Sequence, residues 1–139
     1  MQTMAVSLMR VVGVLLFVLG LMHNLATSHI PGLLEGCAPS VQERAIGPFL
    51  LDHVLVGFLL LPLGYTTWLA AGAIARDEPW ARRVLVANTL VFFTLPVSLG
   101  VLMHRPEYYT APLFLTGVGL VTVIALLMAA ATVVLVRTE

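Results

Sequence analysis

Apolar residues run along the chain in four long blocks separated by short polar punctuation. The first block covers residues 4–26, with Arg10 inside its opening turns, and ends where His23, Asn24, Thr27, Ser28 and His29 accumulate before Pro31-Gly32. A second block covers residues 49–75, a third 83–103 and a fourth 112–136. Each reaches the roughly 20 residues that an α-helix needs to cross a hydrocarbon core of about 30 Å. The punctuation predicts where the helices start and stop. Pro31-Gly32 opens the longest loop, 31–45, in which Ser40-Val41-Gln42-Glu43 has the spacing of a capping box, and Pro48 bends the approach to the second span. Arg76-Asp77-Glu78-Pro79 reads as a tight turn, with Asp77 capping the third helix and Pro79 in its first turn. After His104-Arg105-Pro106-Glu107-Tyr108-Tyr109, Thr110 caps and Pro112 opens the fourth span. Connections this short make neighbouring helices antiparallel. The expected fold is therefore an all-α membrane protein: one domain, residues 1–139, of four transmembrane helices in an up-down-up-down bundle.

Composition agrees. Of 139 residues 60% are apolar and only 10% charged, with a mean hydropathy of +1.02. A soluble surface needs roughly 25% charged residues. The apolar N-terminus carries no positive charge before Arg10 and no small-x-small cleavage pattern, so it reads as a retained span rather than a signal peptide. Charge then sets orientation. The seven basic residues are all Arg. Arg10, Arg76, Arg82, Arg83 and Arg137 fall on one side of the four spans, against Arg44 and Arg105 on the other. The positive-inside rule places both termini in the cytoplasm, and the expected location is the bacterial inner membrane. Zero net charge and no basic face argue against a nucleic-acid partner. The single Cys37 makes no internal disulfide.

Within the spans, Gly13 and Gly20 lie one heptad apart, as do Gly57 and Gly64, a spacing that predicts close left-handed helix crossings. Pro62 and Pro96 each fall about 20 Å from the inner boundary at 1.5 Å per residue, as matched kinks or as a gap that admits a ligand. Asn88, with Thr89, Thr94 and Ser98, is expected to bridge to a neighbouring helix as packing glue.

The predicted orientation puts all four histidines, His23, His29, His53 and His104, at or near the outer boundary, with Asp52 beside His53. Imidazole and carboxylate together are ligands for divalent transition metals, two imidazoles suit haem, and the same groups relay protons near neutral pH. The candidate metal-ligating set is His23, Asp52, His53 and His104. The string Asp52-His53-Val54-Leu55, with Gly57, resembles the Asp-His element of nickel-associated urease and hydrogenase accessory membrane proteins. That resemblance implies nickel. It covers this short segment alone, and the His-Pro that precedes the motif in those proteins has no counterpart here.

No Ser or Cys has a base partner in helix register, so no catalytic residue and no enzyme are expected. The leading expectation is a non-catalytic accessory or structural subunit that packs in a larger membrane complex, in contact with lipid and with a membrane-protein partner or further copies of itself. The alternative is a metal- or haem-binding, or proton-relaying, module with its His/Asp site at the outer boundary. A third is a small-solute transporter using the Pro62/Pro96 level.

Overall fold

A computed structural model describes residues 2–33, 35–102 and 112–137. Its element order is α1 (Gln2–Ala26), a 3-10 turn (Thr27–His29), α2 (Ile30–Leu33), α3 (Pro39–Ile74), α4 (Pro79–Leu102) and α5 (Pro112–Arg137), with no strand among the described residues. Four segments are long and apolar enough to cross a membrane: Gln2–Gly32, Pro39–Ile74, Pro79–Leu102 and Leu115–Arg137. The chain is built as an integral membrane protein.

The helix ends depart from the sequence reading in three places, each for a local reason. The first helical run does not stop at Ala26. Thr27 Oγ1 donates to the His23 carbonyl (3.2 Å) and Ser28 Oγ to that of Leu25 (2.9 Å), which holds the chain helical into the 3-10 turn. Pro31 then sits in the first turn of α2, where its missing N–H is not needed. Secondly, α3 begins at Pro39 and runs 36 residues straight through Pro48 and Pro62. Ser40 is thus inside the helix, and the Ala38 carbonyl takes the first helical N–H groups, from Val41 (2.8 Å) and Gln42 (3.1 Å). Gln42 Nε2 reaches back to the carbonyls of Cys37 (2.8 Å) and Glu35 (3.3 Å) and ties the loop to the helix. Proline disfavours a helical residue before it by striking that residue's Cβ. Gly47 has none, which eases the passage through Pro48; the helix also continues through Pro62 behind Leu61.

The third departure is Asp77. It is the C-terminal cap of α3, not the N-cap of α4. Asp77 adopts φ 55°, while its N–H bonds to the Ile74 carbonyl (3.0 Å) and that of Glu78 to the Ala73 carbonyl (3.1 Å). This is the Schellman pattern with a left-handed residue, a conformation Asp tolerates better than most side chains. Glu78 then caps α4 by accepting from the Ala81 N–H (3.1 Å). Thr110 and His104 lie outside the described residues.

The chain divides into two compact units, Gly13–Tyr65 and Met1–Val12 with Thr66–Glu139. In the Gly13–Tyr65 unit, α1 and α3 run antiparallel in direct backbone contact. A Cβ added to Gly64 would stand 2.5 Å from Phe17 N and 2.6 Å from the Gly13 carbonyl oxygen, and one added to Gly20 2.8 Å from that of Gly57. The two heptad-spaced glycine pairs therefore interlock, Gly13 with Gly64 and Gly20 with Gly57. Lipid offers helices no hydrophobic drive to associate, so this close approach is what lets them pack.

The second unit associates through larger side chains and hydroxyls. Met9, Leu85, Phe92, Met128 and Leu135 are fully enclosed in it. Asn88 Nδ2 on α4 donates to Thr66 Oγ1 (2.9 Å) and Thr67 Oγ1 (3.0 Å) on α3, the interhelical bridge that the sequence predicted. The Thr89 hydroxyl meets that of Thr132 on α5 at 2.8 Å and also bonds to the Leu85 carbonyl.

Candidate functional site

The glycine-packed pair also places the most reactive side chains. Asn24 lies one turn beyond Gly20 on α1, and His53 one turn before Gly57 on α3. The faces that bring the glycines together therefore carry His23, Asn24 and His53 against one another. The imidazoles of His23 and His53 stack, with ring centroids 4.2 Å apart and planes inclined by 14°. The Asn24 carboxamide fills the hollow left by Gly57, where any Cβ would collide with it.

Two polar atoms in this cluster are buried and have no hydrogen-bond partner among the described residues: Asn24 Oδ1 and His53 Nδ1. Most buried polar atoms in proteins are paired, and an unpaired one is destabilising by about 1–3 kcal/mol. The cluster is thus a point of unspent hydrogen-bonding capacity on an otherwise apolar helix pair.

The structure sorts the predicted ligands unequally. It brings His23 and His53 together. Asp52 is exposed beside His53, since neighbouring residues on a helix point about 100° apart. His104 lies outside the described residues. His29 is exposed, with Nδ1 3.2 Å from Ser28 Oγ, and Cys37 is exposed. Among the described residues no three His, Cys, Asp or Glu side chains converge as a metal-holding group. The stacking has its own consequence. Imidazole lone pairs lie in the ring plane, so two nearly parallel rings direct them along separate planes and do not aim both at one ion. The same directionality means that a proton moves between the two rings only through a third group or a ring rotation, since N–H bonds also lie in the ring plane.

Asn24 is the site residue that sequence reasoning passed over, counted there only among the polar residues that end a span. Its position four residues after Gly20, matching Gly57 four after His53, is the signal that would have found it.

An open depression of about 300 Å³ lies elsewhere, lined by Ile74, Asp77, Glu78, Pro79, Arg82 and Arg83. Its charges are of both signs, and it selects for neither. Comparison with known protein families, with characterised proteins and with solved structures finds no match to the chain, so the short resemblance around Asp52-His53 gains no family behind it.

Proposed function

We propose that this protein is a small non-catalytic membrane module that binds and relays a proton at the His23–His53 pair. In this reading its four spans run antiparallel in an up-down-up-down bundle, with both termini in the cytoplasm of a bacterial cell and the imidazole pair near the outer boundary of the inner membrane. The single observation that carries it is the stacked pair beside two buried polar atoms, His53 Nδ1 and Asn24 Oδ1, that have no hydrogen-bond partner among the described residues. The arginine distribution supports the orientation.

The test is imidazole ¹⁵N NMR of the whole protein in lipid nanodiscs across the pH range in which histidine titrates. A proton held by the pair couples the two rings, so His23 and His53 are expected to change together in two macroscopic steps. His53→Phe should reduce the pair to a single simple step at His23. Independent curves for His23 and His53 would overturn the reading. Stoichiometric metal or a Soret band in the purified protein would replace it with the ligand-site alternative.

One observation favours a second reading, the accessory subunit. Large apolar side chains stay exposed along every described span, including Leu25 (67%), Leu59 (68%), Leu90 (65%) and Leu126 (56%). Such faces accept either lipid or a partner chain. Extraction from native membranes in mild detergent should bring down a stoichiometric membrane-protein partner or further copies of the chain. A monodisperse single copy would count against it.

A further inference from the structure

Arg10 interrupts an apolar helix between Met9 and Val11, on a stretch whose neighbours Met9 and Val12 are fully buried. Its guanidinium turns toward the end of α3. Arg10 Nη2 lies 3.4 Å and Arg76 Nη1 3.8 Å from the point where a Gly72 Cβ would stand. Two cationic groups, one from α1 and one from the turn that follows α3, thus meet over one glycine.

Glu78 is the one acidic partner of either guanidinium among the described residues. Arg10 makes no ion pair or hydrogen bond among the described residues. Arg76 gives only its Nε to Glu78 Oε1 (2.9 Å), and the other oxygen of that carboxylate, Oε2, is taken by Trp80 Nε1 (2.6 Å). Like charges converging at the end of an apolar helix favour an anion beside them.

We propose that Arg10 and Arg76 form a phosphate-binding site over Gly72. Guanidinium is the side chain whose fork matches phosphate oxygens. A phosphate group, with oxygens about 2.5 Å apart and charge-assisted bonds of about 2.8 Å at each side, spans donors up to about 8 Å apart. Both guanidinium nitrogens lie within 4 Å of one point, inside that reach. The shared chemistry is the phosphate oxyanion, presented by an anionic phospholipid headgroup or by free phosphate. Trp80, anchored two residues from the same turn, is the residue type that marks headgroup level.

The experiment counts bound lipid by native mass spectrometry on the whole protein in detergent, supplied with phosphatidylglycerol, phosphatidylcholine or inorganic phosphate. The wild type should retain phosphatidylglycerol over phosphatidylcholine, and Arg10→Gln or Arg76→Gln should each weaken that retention by about tenfold, the effect of one lost charge-assisted bond. Exposed Arg83→Gln should leave it unchanged. Gly72→Leu keeps every charge and fills the meeting point, and should weaken retention too. Arg10→Lys, retaining charge, checks with circular dichroism that the fold survives substitution at this position. Inorganic phosphate binding that Arg10→Gln abolishes would assign the site to free phosphate. Phosphatidylglycerol binding alone would assign it to lipid. Binding of neither, equal retention in the wild type and both Gln variants, or no effect of Gly72→Leu would each overturn the proposal.

Discussion

The two units hold their helices together by different means. Between α1 and α3 in the Gly13–Tyr65 unit, Gly13 meets Gly64 and Gly20 meets Gly57, so that backbone rests on backbone. In the other unit, amide and hydroxyl groups bridge the helices: Asn88 to Thr66 and Thr67, and Thr89 to Thr132. Both solutions suit lipid, where van der Waals packing and interhelical hydrogen bonds replace hydrophobic drive. They leave their polar groups in different states. The bridging groups spend their hydrogen bonds on one another and stiffen the structure. In the glycine-packed pair, Asn24 Oδ1 and His53 Nδ1 stay buried and unspent. Polar groups that complete no structural bond contribute packing but no hydrogen bond to the fold, and that difference is what the proposed site rests on.

The largest effect should come from breaking the close contact. Gly64→Ala drives a Cβ into Phe17 N and the Gly13 carbonyl, both backbone atoms that no rotamer change relieves. Overpacking of this kind is destabilising by about 1–3 kcal/mol. Reversible unfolding in mixed micelles should show that loss. Gly119→Ala on α5, with nothing within 4 Å of its added Cβ, should be neutral or slightly stabilising. Equal effects at the two positions would remove the packing half of the comparison.

A matched pair of isosteric changes sharpens the other half. Asn88→Leu removes two interhelical hydrogen bonds, each worth about 0.6 kcal/mol on average in membrane proteins, so the loss should be near 1 kcal/mol. Asn24→Leu keeps the hollow at Gly57 filled and deletes an acceptor with no partner, so it should be neutral or stabilising in the same assay. It should nevertheless alter the His23–His53 titration. An Asn24→Leu variant less stable than Asn88→Leu would show that Asn24 is glue as well.

These contrasts also mark what the sequence could reveal. The number of spans follows from four apolar runs of sufficient length, and the interlocking glycines from their heptad spacing, because both are periodic properties of single helices. Asn88 as a bridge follows from its being a lone amide amid apolar neighbours. Local rules misplaced the helix ends where two readings of one residue compete. Asp favours both an N-cap and a left-handed C-terminal cap, and the bonds to Ala73 and Ile74 decide for the second at Asp77. Pro48 reads as the lead into the second span, whereas α3 already begins at Pro39 and continues through it. The stacking of His23 on His53 depends on the register between two helices, which no single-helix pattern contains. Asp52, which in sequence looks the closest companion, stays exposed beside the pair.

The smallest expected effect lies in the turn that closes α3. Glu78 accepts from Trp80 Nε1 at 2.6 Å and from Arg76 Nε at 2.9 Å. The indole bond first, and the guanidinium bond second, hold its carboxyl below the usual glutamate range. The unfolded chain therefore binds this proton more readily than the folded one. The contribution of the turn is fully present above the ordinary glutamate pKa and is lost as pH falls through the lowered value in the fold. Glu78 is open to water, so screening keeps the effect small. The indole itself reports on it. In a Trp68→Phe background, Trp80 fluorescence should stay constant from neutral pH down to the ordinary carboxylate range and shift only below it. Glu78→Gln should abolish that acid shift while leaving the neutral spectrum nearly unchanged, because a carboxamide oxygen still accepts from the indole. An acid transition of the same size in Glu78→Gln would assign it to another group and leave the turn without a part in it.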